Sequence, residues 1–343
     1  MSDQSRLTLN RRSAISGVTT AGALASTLAA LGATTSLSLV GPAHAQGSTG
    51  VAMGKGNVVF IPGKSVAAVP CAEWEAPAQN AEANGAPLRI VMGKDSVDKA
   101  PATASRYESR VYDFPSGSIR TLTFKKGSGP VLHQVAFETE ILLLQGSVTL
   151  TPLFGVKGPT VKVKAGDALY FPGGMLRNPK PSEDTVMLLF QVPSTAASPK
   201  FAHVAGKDLA EVETVQWMQD GKSVTARNAE EVKSAPANAA RFKVKRYAFD
   251  GNSIRYATLR KGDKTNLGVT SRNDVLIYVP KGRLRRTEGD ETFELVAGDA
   301  LREKLGNPGY WDVLEDSVFI ATDAPVLAAA FAPYMAAPGG TVK

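Results

Sequence analysis

The hydrophobic positions of this chain recur with period two in short runs. Val148-Thr-Leu-Thr and Val161-Lys-Val-Lys alternate apolar and polar residues, as half-buried strands do. Glycine and proline break the runs at short intervals, at Gly155, Gly158-Pro159, Gly166 and Pro172-Gly173-Gly174. Many short strands joined by turns predict an all-β sandwich or barrel. The stretch from Pro199 to Ala239 has a different texture. It is richer in helix formers and predicts a connection with one or two short helices. Residues 46–103 are rich in Ala, Pro and Gly. They offer two strand candidates, Asn57–Pro62 and Leu88–Met92, which would add to sheet edges.

The pattern is written twice. "YDFPSGSIRTLTFKKG" (Tyr112–Gly127) returns as "YAFDGNSIRYATLRKG" (Tyr247–Gly262) at an offset of 135. "AGDAL" stands at Ala165–Leu169 and again at Ala297–Leu301, and "EDTV" at Glu183 is echoed by "EDSV" at Glu315, at an offset of 132. Order is kept and the offset barely drifts, so one domain has been duplicated. The predicted organisation is an export signal (1–45), an extension with edge strands (46–103), a first domain (104–195), a partly helical linker (196–238), a second domain (239–330) and a tail (331–343).

The first segment changes where the protein is expected to work. Arg11-Arg12 precedes a weakly apolar run to Val40, and Gly41-Pro42-Ala43-His44-Ala45 ends it in small residues. This is the layout of an export signal, and the paired arginines point to the twin-arginine route. The expectation is a periplasmic or secreted bacterial protein with no stable membrane span once the signal is removed. Roughly 300 residues would remain, enough for two full cores. Cys71 is the one cysteine, so no disulfide forms within the chain, and it is expected to be packed rather than catalytic. The formal charge of +7 is mild and interspersed. The cluster Arg283-Leu284-Arg285-Arg286 is taken as a solvated face, and nucleic acid is excluded as a partner.

The spacing of the glycines and prolines in these repeats resembles the cupin superfamily of small jelly-roll barrels, in particular the two-domain bicupins. The family's second motif is Gly-x5-Pro-x-Gly-x2-His-x3-Asn. Gly166, Pro172 and Gly174 fall on it, but Arg177 takes the histidine position and Asn178 comes three residues early. Its first motif is Gly-x5-His-x-His-x3–4-Glu-x6-Gly. His133 supplies the first histidine after Gly127, and Val135 replaces the second. The glutamate position is Thr139 counted back from Gly146, or Glu140 counted forward from His133. In the second copy Lys304 replaces the proline and Gly309 the histidine. The resemblance implies two tandem barrels.

Transition-metal sites in such barrels need two or three imidazoles and a carboxylate. With one histidine kept, no cofactor is expected; were a metal present, His133 and Glu140 would hold it. The fixed charge of Arg177 suits a carboxylate, phosphate or sugar oxygen instead. The expected pocket lies in the first barrel, with Thr139, Tyr170 and Arg177 binding a small anionic or hydroxylated molecule. Three roles follow. The first is an exported ligand-binding bicupin. The second is an enzyme, metal-dependent or using His133 and Glu140 as acid and base. The third is an assembly protein associating through its sheets as a homo-oligomer. A structural reading stands beside them, in which Arg177 pairs with Glu138 or Glu140. His203 is expected in a surface loop. In the second copy Arg272, Asp274, Arg302, Glu303, Tyr310 and Trp311 fall near the equivalent positions, with Trp311 a packing residue.

Overall fold

The computed structural model describes residues 58–75, 88–129, 133–134, 138–154, 156–157, 160–173, 176–192, 200–220, 222–237, 239–265, 273–288, 290–304 and 310–325. All of them fall within the compact unit Leu39–Lys343. The segment expected to be an export signal and the expected tail lie outside the described residues.

The chain forms two antiparallel β-barrels. In the first, an eight-stranded sheet runs in spatial order Ala202–Val204, Ala168–Phe171, Thr139–Gln145, Thr185–Gln191, Gly117–Phe124, Ser105–Phe114, Val69–Glu75 and Leu88–Met92. A smaller sheet closes it, built on Val161–Lys164, Ser147–Phe154, Leu176–Pro181 and His133–Gln134. The second barrel repeats the plan. Its large sheet runs Val58–Ile61, Ala300–Glu303, Asp274–Lys281, Ser317–Ala324, Asn252–Leu259, Ala240–Phe249, Val212–Gln219 and Lys222–Ala226. Its small sheet runs Lys264–Thr265, Tyr310–Val313, Arg283–Glu288 and Glu291–Val296. The duplicated hairpins Ser105–Phe124 and Ala240–Leu259 pair in matching register.

The stretch expected to be a connection holds the short helix Ala229–Ser234, capped by the Asn228 side chain, and also three strands that join the large sheets. Its first strand does not serve its own repeat. Ala202–Val204 pairs with Ala168–Tyr170 of the first barrel, while Val58–Ile61 pairs with Ala300–Glu303 of the second. Each repeat lends its leading strand to the other barrel.

Side chains pack in three layers. Ile141, Leu143, Val148, Leu150, Val163, Leu169, Phe171 and Leu189 fill the first barrel. Val58, Phe60, Leu259, Ile277, Leu284, Leu295, Leu301, Val313 and Phe319 fill the second. The outer faces of the two large sheets meet in a seam of Tyr112, Phe114, Leu142, Phe190, Tyr247, Ile254, Leu276 and Ile320. The central strands are therefore buried on both faces, and apolar burial on this scale is the main stabilising term.

The repeated residues noticed in the sequence fasten the exchanged strands. Tyr247 Oη donates to Gly166 O at 2.7 Å, and Tyr112 Oη donates to Gly298 O at 2.7 Å. Asp167 accepts from Gly206 N at 2.9 Å and Lys164 N at 2.9 Å. Asp299 accepts from Gly63 N at 2.7 Å and Val296 N at 2.8 Å. Tyr and Gly-Asp recur because each copy clasps the other. His203, expected in a surface loop, lies in the exchanged strand opposite Leu169, with Nε2 3.3 Å from Asp167 Oδ2.

Candidate functional site

Of the residues expected to line the pocket of the first barrel, Thr139 faces the barrel interior while Glu140 and Tyr170 face the seam. His133 and Arg177 are cross-strand partners in the small sheet, and the description of both ends at the backbone. Thr139 pairs with Phe171 and shares the inward face with Ile141 and Leu143, fully buried. Glu140 is one residue further and points the other way. It lies in the seam, where Oε2 accepts a 2.6 Å hydrogen bond from Thr322 Oγ1 of the second barrel. Tyr170, its neighbour across the strands, turns to the seam as well and stacks on Phe249 at 5.5 Å. The acid–base pair of His133 and Glu140 thus lies on separate sheets, with its carboxyl turned out of the barrel. The described partner of Glu140 is Thr322.

Glu140 is nonetheless chemically distinctive. Its Oε1 has no hydrogen-bond partner, and burial pushes the carboxyl up to about 8, opposed by the bond from Thr322. Asp323 and Glu138 push it the same way as burial, and Arg255 opposes them. The group is a seam carboxyl held in its neutral form through most of the physiological range.

A buried polar cluster lies in the interior of the second barrel; the first barrel has its own, where Tyr107 Oη donates to the buried Glu73 at 2.8 Å and Arg120 lies close by. Along Arg283–Glu288, Leu284 and Arg286 face inward while Arg283 and Arg285 face solvent and share Glu294. Arg286 is fully buried, with 0% of its side chain exposed, so the four-residue cluster is not a uniformly solvated face. Its Nε donates to Glu303 Oε1 at 2.6 Å and its Nη1 to Thr287 O at 2.8 Å. Its guanidinium lies 5.7 Å from the ring centre of Trp311, its cross-strand partner. Burial pushes the Glu303 carboxyl up, and Arg286 pulls it down.

Three buried atoms of this cluster have no partner: Arg286 Nη2, Glu303 Oε2 and Trp311 Nε1. An unpaired buried donor or acceptor costs about 1–3 kcal/mol, so each of the three calls for a physical reason. Toward the outer end of the same face, Arg255 and Asp323 pair at 2.9 Å and stay about a third and a quarter exposed. Asp274, by contrast, is held by Arg302 at 2.6 Å on the seam side of the sheet, Tyr310 is exposed, and Arg272 lies outside the described residues.

Sequence reasoning named Glu303 and Trp311 but missed Arg286. Aligning the copies through their strands supplies the signal. Arg286, Glu303 and Trp311 replace Leu150, Phe171 and Pro179 of the first barrel. Leu150 pairs with Pro179 just as Arg286 pairs with Trp311. Three touching positions changed together from apolar to polar.

Among solved structures, the chain is similar to variants of oxalate decarboxylase from Bacillus subtilis. One matches at 16% identity over 64% of this chain and 73% of that one, with a TM-score of 0.47. Another, studied for its substrate binding mode and a reaction specificity switch, matches at 15% identity over the same shares with a TM-score of 0.47. The fold itself is two antiparallel β-barrels in one chain. No family model matches the chain, and no curated protein matches it.

The expectation of a chain without a cofactor is corrected here. A further similar structure, at 16% identity, 64% and 73% coverage and a TM-score of 0.47, is described by its Mn(II) centres. The described residues of this chain do not fit such a centre: no three of their His, Cys, Asp or Glu side chains gather. Glu140, paired with His133 in the metal reading, faces away from the barrel interior, and Glu303 is engaged by a guanidinium. Cys71 is buried, and its thiol is pushed up to about 12 by burial first and by Glu73 next, so it is a packed, unreactive group. Among the described residues, no helix is long and apolar enough to cross a membrane.

Proposed function

We propose that this chain is an exported bicupin that binds a small hydroxylated or anionic molecule, and that its site is the interior of the second barrel. The observation that carries the reading is the buried trio of unpartnered polar atoms on Arg286, Glu303 and Trp311. A buried ion pair contributes little net stability, and similar-sized apolar residues often serve as well or better. The first barrel, filled with Leu150 and Phe171 at the same places, illustrates that apolar solution.

Replacing the pair by Arg286→Met with Glu303→Leu tests this. The double variant should melt at or above the wild-type temperature and lose its response to ligands. Thermal-shift screening of wild type against sugars, uronic acids and small organic acids supplies the comparison. A wild type that answers none of them defeats the proposal. So does a response that survives in the double variant but vanishes in Arg177→Ala, which would return the site to the first barrel.

A further inference from the structure

We infer that the second barrel selects a neutral polyhydroxylated ligand, a sugar or polyol, over a carboxylate. The inference rests on the reading above, and it deepens it through charge balance and the hydrogen-bonding capacity of the site.

Charge comes first. Inside this barrel the buried guanidinium of Arg286 already has a carboxylate, as does Arg255 further out, where Arg246 stands exposed opposite Arg255 on the same face. Arg286 holds Glu303 at 2.6 Å, and Arg255 holds Asp323 at 2.9 Å. Glu288, on the inward-facing side of its strand, adds negative field at Glu303. An incoming carboxylate would be stripped of water beside Glu303, where the guanidinium in contact, that of Arg286, is already paired. Burying an unpaired charge is the most costly event of this kind.

Hydrogen-bond capacity comes second. Arg286 Nη2 and Trp311 Nε1 are donors, and Glu303 Oε2 is an acceptor. A carboxylate can use only the donors. A hydroxyl accepts and donates at once, so two adjacent hydroxyls can satisfy all three atoms. A planar polar pair beside an indole also suits a ring whose edge is polar and whose face is apolar. The half-exposed Arg255–Asp323 pair continues the same polar strip outward. It offers both a donor and an acceptor to the remaining hydroxyls.

Isothermal titration of the mature chain tests the assignment. The probes are neutral pentoses, hexoses and hexitols, set against the uronic acids of the same sugars and small mono- and dicarboxylates, oxalate included. A neutral sugar or polyol should bind saturably, and its uronic acid at least about tenfold more weakly. Trp311→Phe removes one N–H and keeps the ring, and Glu303→Gln keeps the shape and loses the charge. Each should weaken binding about tenfold or more, as loss of a buried hydrogen bond to a charged partner or a fixed donor does. Should Glu303→Gln fail to fold, Trp311→Phe carries the test. If only acids bind and both variants weaken them, the ligand class is wrong while the site stands. If ligands bind with unchanged affinity in both variants, or if nothing binds and the trio holds ordered water alone, both readings fall.

Discussion

At the scale of the residue, one oxygen or one nitrogen decides the chemistry of this molecule. Glu140 is the clearest case. In the unfolded chain its carboxyl ionises near the ordinary value of 4.5, and in the fold near 8. Between those values unfolding releases a proton. Stability is therefore full below the unfolded value, falls as pH rises, and stops falling once the folded carboxyl ionises too. The slope is at most about 1.4 kcal/mol per pH unit. Glu140→Gln keeps the Thr322 contact and has no proton to lose. It should match wild type near pH 5, exceed it above pH 8 and show a flatter profile in urea melts across that range. An unchanged slope in the variant would mean that Glu140 is ionised in the fold. Arg286 makes the complementary point: the same burial that neutralises a lone carboxyl forces a guanidinium to find Glu303.

At the scale of the element, the leading strands of the two repeats are what the fold depends on. Each runs into a short turn whose glycine lies against the backbone of the opposite copy. A Cβ on Gly206 would meet Gly166 O at 1.9 Å, and one on Gly63 would meet Gly298 O at 2.3 Å. Gly166 and Gly298 themselves have φ of +89° and +95°, in the left-handed region that glycine adopts freely. The pattern Gly-Asp after each of these turns is thus a backbone requirement followed by a cap. Gly206→Ala should cost about 2–4 kcal/mol by thermal or urea denaturation, since backbone rather than a flexible side chain must give way. Lys207→Ala, next in the chain on an exposed residue, should change stability by less than about 0.5 kcal/mol. Equal effects would show that the turn tolerates a side chain.

At the scale of the whole molecule, the exchange of strands makes the two barrels one folding unit. A chain cut between residues 195 and 196 leaves the first half without Ala202–Val204 and with Val58–Ile61 unpaired. The outer faces of both large sheets would also be bare. Such edges and faces aggregate or find a partner. Each half made alone should be insoluble or self-associated, and the two co-expressed should elute as one 1:1 complex by size-exclusion chromatography with light scattering. A monodisperse, monomeric first half would argue that the seam is dispensable.

The duplicated all-β plan could be read without any coordinates. Period-two runs, turn glycines and the repeated Tyr, Ser-Ile-Arg and Ala-Gly-Asp residues specify two barrels, because each of these signals is local. The sequence also named Glu303 and Trp311, and it flagged the pair of candidate registers at Thr139 and Glu140. It could not choose between them. Alternation tells which residues share a face, not which face is the barrel interior, and the strand Thr139–Gln145 is buried on both sides over its first five residues. For the same reason Arg286 looked like one more surface arginine until Leu284 was seen to point inward. Which polar side chains each interior gathers, and which barrel each leading strand joins, depend on contacts between residues far apart in the chain. Those contacts exist only once the two large sheets have packed together.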